Sequence, residues 1–193
     1  MRGARLVAVW KGDTALRNAL QGLPEALQQA LACDWTAALP VLQHADRLYV
    51  IGRGTGLAVA AEMALKFKET CGIQAEAFSG AELRHGPMAL VGPGYPVLVL
   101  APPGPAQAAL LALAAELKGR GAAMLLAAHS GTAGTAGTAG TANIDLPLAA
   151  APHEALAAIT AVQSFYPMVE ALARLRGYDP DAPAHLSKVT LTR

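Results

Sequence analysis

The sequence predicts an α/β fold in which a doubly wound parallel sheet is flanked by helices, with a helical segment at the N-terminus. Short apolar runs alternate with longer stretches of helical periodicity, which is typical of parallel strands joined by helices. The run at residues 96–101 is almost continuously apolar, as in strands that are covered on both faces. The chain has 193 residues and is 53% hydrophobic, which is enough for one domain without a disulfide or metal staple.

The first 44 residues are predicted to form a helical segment that precedes an α/β domain at residues 45–193. Asp13 can cap an amphipathic helix, and the Gly-Leu-Pro at residues 22–24 is expected to break it before a second helix that extends to residue 42. The apolar run at residues 6–10 is too short for a signal peptide. Since no apolar run reaches the ~18 residues that a membrane span needs, no membrane association is expected.

The remaining elements follow in order along the α/β domain. Gly72 and Gly177 are expected to end helices. Residues 131–142 repeat Gly-Thr-Ala four times, and four glycines cost about 4 kcal/mol in a helix relative to alanine, so a flexible surface loop is predicted there. Predicted strands cover residues 47–52, 74–79, 96–101, 123–128 and 144–148, and predicted helices cover residues 55–71, 106–120 and 153–175.

Charge and cysteine content narrow the class of function. The net charge is +1 and there is no basic cluster, so nucleic-acid binding is not expected. Cys33 and Cys71 form no spacing motif, which indicates small buried side chains in a reducing compartment and predicts a cytoplasmic protein. We predict neither a metal ion nor a cofactor.

A glycine-rich loop follows the first predicted strand and opens a helix. Its sequence at residues 52–56 is Gly-Arg-Gly-Thr-Gly. Backbone N–H groups at such a helix N-terminus can approach an anion, so Gly54 and Thr55 are candidate substrate-binding residues. The alternative is a tight strand-to-helix turn without a ligand.

Charged residues concentrate on the helix that follows, in a chain whose charged fraction is only 15%. Glu62, Lys66 and Glu69 lie at i, i+4 and i+7 and therefore share one helix face. One interpretation is a surface ion-pair ladder. The other is a proton-transfer site, because His85 precedes a Gly-Pro that fixes the backbone, and a histidine with a carboxylate can move protons.

Four segments resemble the sugar isomerase (SIS) domain. They are Ala-Leu-Lys-Phe-Lys-Glu at residues 64–69, Ala-Glu-Ala-Phe at 75–78, Glu-Leu-Arg-His-Gly-Pro at 82–87 and His-Leu-Ser-Lys-Val-Thr at 185–190. More specifically, the segments resemble the second SIS half of the isomerase part of glucosamine-6-phosphate synthase. They also resemble related amino-sugar-phosphate deaminases and isomerases. The resemblance extends over residues 45–193 and implies a flavodoxin-like SIS fold.

The resemblance also implies roles for individual residues. Glu69 matches the glutamate that moves a proton between C1 and C2 of an open-chain sugar phosphate, and Lys66 matches the lysine that stabilises the resulting charge. His85 matches the ring-opening histidine, which a neighbouring subunit of a homodimer supplies. Lys188 matches the tail lysine that can form an imine with the ketose, and Ser187 would contact the sugar through its backbone.

The sequence also departs from the family pattern. The family's first SIS half carries a Ser/Thr-rich loop that grips the phosphate, whereas residues 102–105 here read Pro-Pro-Gly-Pro. Residues 1–11 resemble the last helix of a first half. Three hypotheses remain open: an isomerase or deaminase acting on a substrate like glucosamine 6-phosphate or fructose 6-phosphate, a non-catalytic module that binds a sugar phosphate, or one half of a two-SIS enzyme.

Overall fold

A computed structural model describes residues 2–129 and 144–183. Within these ranges, five parallel strands form one sheet in the order β2-β1-β3-β4-β5. The chain moves outward from β1 to β2 and then returns to the other side of β1, so the strand order reverses between β1 and β3. This topology confirms the predicted doubly wound α/β fold. The strands are β1 (Arg47–Gly52), β2 (Gln74–Ser79), β3 (Pro96–Ala101), β4 (Ala123–His129) and β5 (Leu146–Leu148).

The helices of the α/β domain lie close to their predicted positions. The second N-terminal helix, which was expected to extend to residue 42, is not continuous, because the α-helix ends at Leu31 and a 3-10 turn at Thr36–Ala38 precedes a short helix at Leu39–Leu42. The long C-terminal helix was predicted from residue 153, but a 3-10 turn at Glu154–Leu156 precedes its α-helical part. The α-helices are α1 (Arg2–Trp10), α2 (Thr14–Leu31), α3 (Leu39–Leu42), α4 (Thr55–Cys71), α5 (Gln107–Gly119) and α6 (Ala157–Leu175), and further 3-10 helices cover Thr36–Ala38, Glu82–His85 and Pro87–Leu90.

The expected break at residues 22–24 is wrong, because α2 continues through Pro24. A proline inside a helix costs about 3 kcal/mol. The buried stripe of α2 includes Leu16 and Leu23, and burying each leucine contributes about 1.5–3 kcal/mol. The Ser164 hydroxyl on α6 also donates a hydrogen bond of 2.8 Å to the carbonyl of Ala30. Packing of α2 against its neighbours therefore outweighs the local preference.

Helices cover both faces of the sheet and create two separate cores. On one face, α3, α4 and α6 pack against the sheet, and the rings of Phe67 and Phe165 meet at 5.2 Å between centroids. On the other face, α5 packs together with the two 3-10 helices that follow β2, through the buried side chains of Leu83 and Met88. The sheet thus separates the α4/α6 layer from the α5 layer.

Within the described residues, one helical stretch, Glu154–Leu175, is long and apolar enough to cross a membrane. Half of its most apolar window is buried inside the protein. Phe165 and Leu172 are fully buried in the core against α4. These contacts are those of a core helix in a folded domain.

Arg176 joins the ends of three elements just after α6. Its guanidinium donates hydrogen bonds to the carbonyl of Cys71 at 2.7 Å, of Leu42 at 3.1 Å and of Gln43 at 2.8 Å. These carbonyls lie at the C-terminal ends of α3 and α4, where they have no partner within the helix. The positive charge also suits the negative end of each helix dipole.

Replacing Arg176 with methionine is expected to lower the free energy of unfolding by about 3 kcal/mol, because hydrogen bonds from a charged donor are lost while their acceptors stay partly buried. Urea denaturation would measure the change. The matched control is Arg174→Met, which removes an exposed ion pair with Glu170 and should cost less than about 1 kcal/mol. Equal losses in the two variants would contradict the assigned role of Arg176.

Cys71 is fully buried, and its thiol lies 3.5 Å from the carbonyl oxygen of Val169. Burial raises the pKa of this thiol above its ordinary value of 9.0. The unfolded chain therefore releases this proton at a lower pH than the folded chain. The resulting contribution to stability is complete below the unfolded pKa and is lost as the pH rises towards the folded one.

Between about pH 8 and about pH 10, the wild type is expected to lose roughly 1 kcal/mol more stability than Cys71→Ala does. Urea unfolding of both proteins at the two pH values tests this. Comparison of the pH dependence within each protein cancels the constant cost of removing the thiol. Parallel pH dependences would show that Cys71 ionises equally in the folded and unfolded chains.

Candidate functional site

The charged face of α4 comes together as the sequence predicts. Lys66 Nζ lies 2.6 Å from Glu69 Oε2 and 3.9 Å from Glu62 Oε1. All three side chains are partly exposed, with Glu69 the least, at 20%. The helix ends at Cys71, two residues after Glu69, and Gly72 caps it in a left-handed conformation with a φ of 64°. Lys66 therefore lies between two carboxylates and is closely bound to Glu69.

A pocket of about 360 Å³ opens beside this ion pair, between α4, α6 and the segment that follows α6. A volume in this range suits a small ligand. Its walls mix carboxylates with apolar and aromatic side chains, and Lys66 is its one cation among the described residues. The lining residues are Lys66, Glu69, Thr70, Tyr166, Val169, Glu170, Pro180, Asp181 and Pro183.

The pocket keeps its lysine charged and its tyrosine protonated. The hydrogen bond to Glu69 raises the pKa of Lys66, and the negative charges of Glu69 and Glu62 add to this effect. Burial, together with the charge of Glu62, raises the pKa of Tyr166. The site thus offers a carboxylate beside a fixed positive charge, which can accept a proton while the cation neutralises charge that develops on a ligand.

His85 lies away from this pocket. Its 3-10 helix is held by reciprocal hydrogen bonds, in which Ser79 N donates to Glu82 Oε2 at 2.8 Å and Glu82 N donates to Ser79 Oγ at 3.2 Å. Arg84 then joins Glu116 of α5 at 2.5 Å. His85 is exposed on the α5 face of the sheet. The 3-10 helix that carries His85 and the helix that carries Lys66 and Glu69 thus pack against opposite faces of the sheet.

Gly54 and Thr55 line a different pocket, of about 530 Å³, at the carboxyl ends of β1 and β3. Arg53, residues 102–105 and Glu154 also line it. Glu69 lies fourteen positions after Thr55, which corresponds to about 21 Å along α4. This distance exceeds the length of an open-chain hexose phosphate. One substrate cannot contact both ends of this helix, so a binding role for Gly54 and Thr55 stays a prediction for a separate site.

Several predicted features lie outside the described residues. They include Ser187, Lys188 and the Gly-Thr-Ala repeat at residues 131–142. Within residues 2–129 and 144–183, no three metal-ligating side chains are grouped as they would be around a metal ion. The sequence interpretation missed Tyr166, which donates to Glu62 across 104 positions of the chain. No local pattern marks a contact between two helices so distant in sequence.

The part of the chain that contains this site matches a known protein family. The sequence pattern of the SIS domain family matches residues 41–175, which is more than half of the chain. This chain belongs to the SIS domain family. The match begins at α3 and ends with α6, and it therefore includes the Lys66–Glu69 pair and the turn that carries His85.

Individual SIS proteins show the same relationship. A glutamine–fructose-6-phosphate aminotransferase (isomerizing) from Aeropyrum pernix is 35% identical over 92% of this chain, which spans 29% of that relative. A candidate phosphosugar isomerase from Silicibacter pomeroyi is 40% identical with a TM-score of 0.78, and the match covers 93% of this chain and 52% of that one. A glucosamine-6-phosphate deaminase from Thermotoga maritima is 25% identical with a TM-score of 0.63, over 95% of this chain and 52% of that one.

Proposed function

We propose that this SIS chain carries the proton-transfer residues of a phosphosugar isomerase or deaminase that acts on an amino-sugar phosphate such as glucosamine 6-phosphate, or on fructose 6-phosphate. The observation that carries the proposal is the 2.6 Å pair of Lys66 and Glu69 at the wall of a small pocket. Two relatives, an isomerizing glutamine–fructose-6-phosphate aminotransferase and a glucosamine-6-phosphate deaminase, support the substrate class.

In the proposed reaction, the Glu69 carboxylate removes the proton from C2 of the open-chain aldose. The resulting acid exchanges its proton with solvent in part of the turnovers and then protonates C1, while a proton moves from O2, or from the nitrogen of an amino sugar, to O1. A carboxylate suits this step because its two oxygens can reach adjacent carbons. Lys66 holds a positive charge beside the enediol or enolamine that forms between the two transfers. For an amino sugar, the product is an imine at C2, and water hydrolyses it to the ketose and ammonia.

We propose that a second copy of the chain supplies His85, in a cytoplasmic homodimer. The position of His85 supports this, because its 3-10 helix packs on the α5 face through Leu83 and it does not line the Glu69 pocket of its own chain. The exposed Leu90, which lies in the next 3-10 helix, is an apolar group that such a contact could bury. Lys188 and Ser187 are proposed to complete the site from the C-terminal segment.

The test is to incubate the purified protein in D₂O with glucosamine 6-phosphate and, separately, with fructose 6-phosphate. NMR should show deuterium entering C1 or C2, and an ammonia assay should show release from the amino sugar if the chain is a deaminase. If the rate of exchange per protein molecule rises with protein concentration, this would support a site completed by a second copy. The absence of exchange and of ammonia at high protein concentration would contradict the proposal.

A second candidate is a binding module that senses a sugar phosphate without turnover. The pocket that contains Arg53, Gly54 and Thr55 favours it, because it lies at the strand-order reversal where α/β sheets bind ligands, yet far from Glu69. Ligand at 100 times Kd should stabilise the protein by about 2.7 kcal/mol. Under this hypothesis, a Glu69→Gln variant binds as the wild type does, and neither protein exchanges deuterium.

The third hypothesis, one half of a two-SIS enzyme, predicts an exposed apolar surface on which another unit docks. Leu6, Val9 and Trp10 of α1 are exposed by 69%, 58% and 84%. Exposed patches of this kind often mark interfaces. Under this hypothesis, turnover requires an added partner chain. Trp10→Glu should then prevent docking of that partner and abolish the turnover that the partner restores.

A further inference from the structure

Tyr166 contacts the carboxylate that competes for Lys66. Its hydroxyl donates a hydrogen bond of 3.2 Å to Glu62 Oε1. The same oxygen atom lies 3.9 Å from Lys66 Nζ. Tyr166 lies on α6, outside the segments that carry the family resemblance. Two donors from two different helices therefore face a single oxygen of Glu62.

Lys66 can pair with either of two carboxylates, and the hydrogen bond from Tyr166 can favour one of them. A lysine side chain is flexible and could reach either Glu62, one turn before it, or Glu69, one turn after it. Its distances of 3.9 Å and 2.6 Å show that it pairs with Glu69. A hydrogen bond from the tyrosine takes up part of the accepting capacity of Glu62 and so weakens its competition for the lysine.

The ring of Tyr166 is 40% exposed and makes an aromatic contact with the ring of Phe165 on one side. Its centroid lies 5.9 Å from that of Phe165, which is fully buried in the core. Glu170 and Asp181 also line the pocket and bring negative charge from α6 and the segment after it. Glu170 forms an ion pair with Arg174, so it is not a strong competitor for Lys66.

We propose that Tyr166 is a positioning residue: by engaging Glu62, it directs Lys66 to Glu69 and so holds the positive charge beside the proposed base. The proposal rests on the proposed function for its role in catalysis, but the pairing itself is a property of the free protein. It predicts that removal of one hydroxyl, with the ring kept in place, redistributes Lys66 between the two carboxylates.

The first experiment follows the titration of Lys66 by NMR in the free protein. Glu62→Gln and Glu69→Gln are each made in the wild type and in Tyr166→Phe. In the wild type, E69Q should lower the pKa of Lys66 more than E62Q does. In the Tyr166→Phe background, E62Q should lower the pKa of Lys66 at least as much as E69Q does. The same order of effects in both backgrounds would overturn the proposal.

A matched control separates this role from simple packing. Tyr178 is also an exposed tyrosine, and its hydroxyl lies beside Gly72 at the end of α4, with no side-chain hydrogen bond recorded for it among the described residues. Tyr178→Phe should leave the order of the two glutamine effects on Lys66 as it is in the wild type. If Tyr178→Phe changed the order of these two effects as much as Tyr166→Phe does, the pairing of Lys66 would respond to the loss of any nearby hydroxyl. That result would overturn the proposal.

The second experiment measures turnover or deuterium exchange. Tyr166→Phe should lower kcat by about tenfold with little change in KM, in line with the value of a hydrogen bond to a charged group. The double variant Y166F/E62Q should recover most of this loss, because the competing charge is gone. If no substrate reacts, the proposed function fails while the Lys66 titration still decides the pairing. If the protein is active and E62Q gives no recovery, the positioning role is overturned.

Discussion

Glu69→Gln is expected to lower the rate of C1–C2 proton transfer by about 10²–10⁴-fold, the usual contribution of a general base. Glutamine keeps the size of the side chain but cannot accept a proton at neutral pH. The Lys66–Glu69 contact is partly exposed, so its loss should change the free energy of unfolding by less than about 1 kcal/mol. Deuterium incorporation measured by NMR gives the rate, and urea denaturation gives the stability.

Glu25→Gln is the control for Glu69→Gln. Glu25 is an exposed glutamate on α2 and is not part of either pocket on α4. The Glu25→Gln variant should leave both the rate of deuterium incorporation and the free energy of unfolding unchanged. If E69Q and E25Q exchange deuterium at the same rate, Glu69 is not the base, and the 2.6 Å pair is an ion pair on the protein surface with no role in proton transfer.

Gly52→Ala is expected to prevent stable folding, with a loss of about 4 kcal/mol or more. A Cβ atom at this position would lie 2.3 Å from the carbonyl oxygen of Gly56 and 2.9 Å from the backbone nitrogen of Leu57. These atoms belong to the first turn of α4, so the helix would have to move away from β1. Soluble yield, circular dichroism and thermal unfolding measure the effect.

Gly56→Ala is a closely matched control. Its Cβ would meet only the side chains of Leu100 and Pro102, at 3.8 Å and 4.0 Å, which is ordinary contact. Alanine also favours a helix by up to about 1 kcal/mol relative to glycine. We expect this variant to be as stable as the wild type or slightly more stable. A Gly52→Ala protein with the same melting temperature as Gly56→Ala would show that the end of β1 tolerates a side chain.

The sheet could be predicted from the sequence because its strands are short, apolar and separated by helical patterns. The end of α4 was equally clear, since Gly72 adopts the left-handed conformation that terminates a helix. The course of α2 was not, because the local cost of Pro24 is overcome by the burial of Leu16 and Leu23. A local rule for proline contains no information on which helices pack against the segment.

The candidate site was predictable only in part, for the same reason. Periodicity placed Glu62, Lys66 and Glu69 on one face but could not tell which carboxylate the lysine prefers. That choice depends on a side chain from another helix, about a hundred positions away. The placement of His85 on the opposite side of the sheet likewise follows from the path of the chain after β2, which no motif encodes.

The length of α4 has a consequence for divergence within the family. Its first residue borders the pocket at the carboxyl ends of β1 and β3. Its last two turns carry the Lys66–Glu69 ion pair, about 21 Å away. Substitutions at such a distance usually act additively. Under the proposed function, substitutions in residues 102–105 would change ligand preference in the first pocket without changing the acid–base chemistry at Glu69. Loop exchange between SIS proteins at this position offers an engineer the same independence.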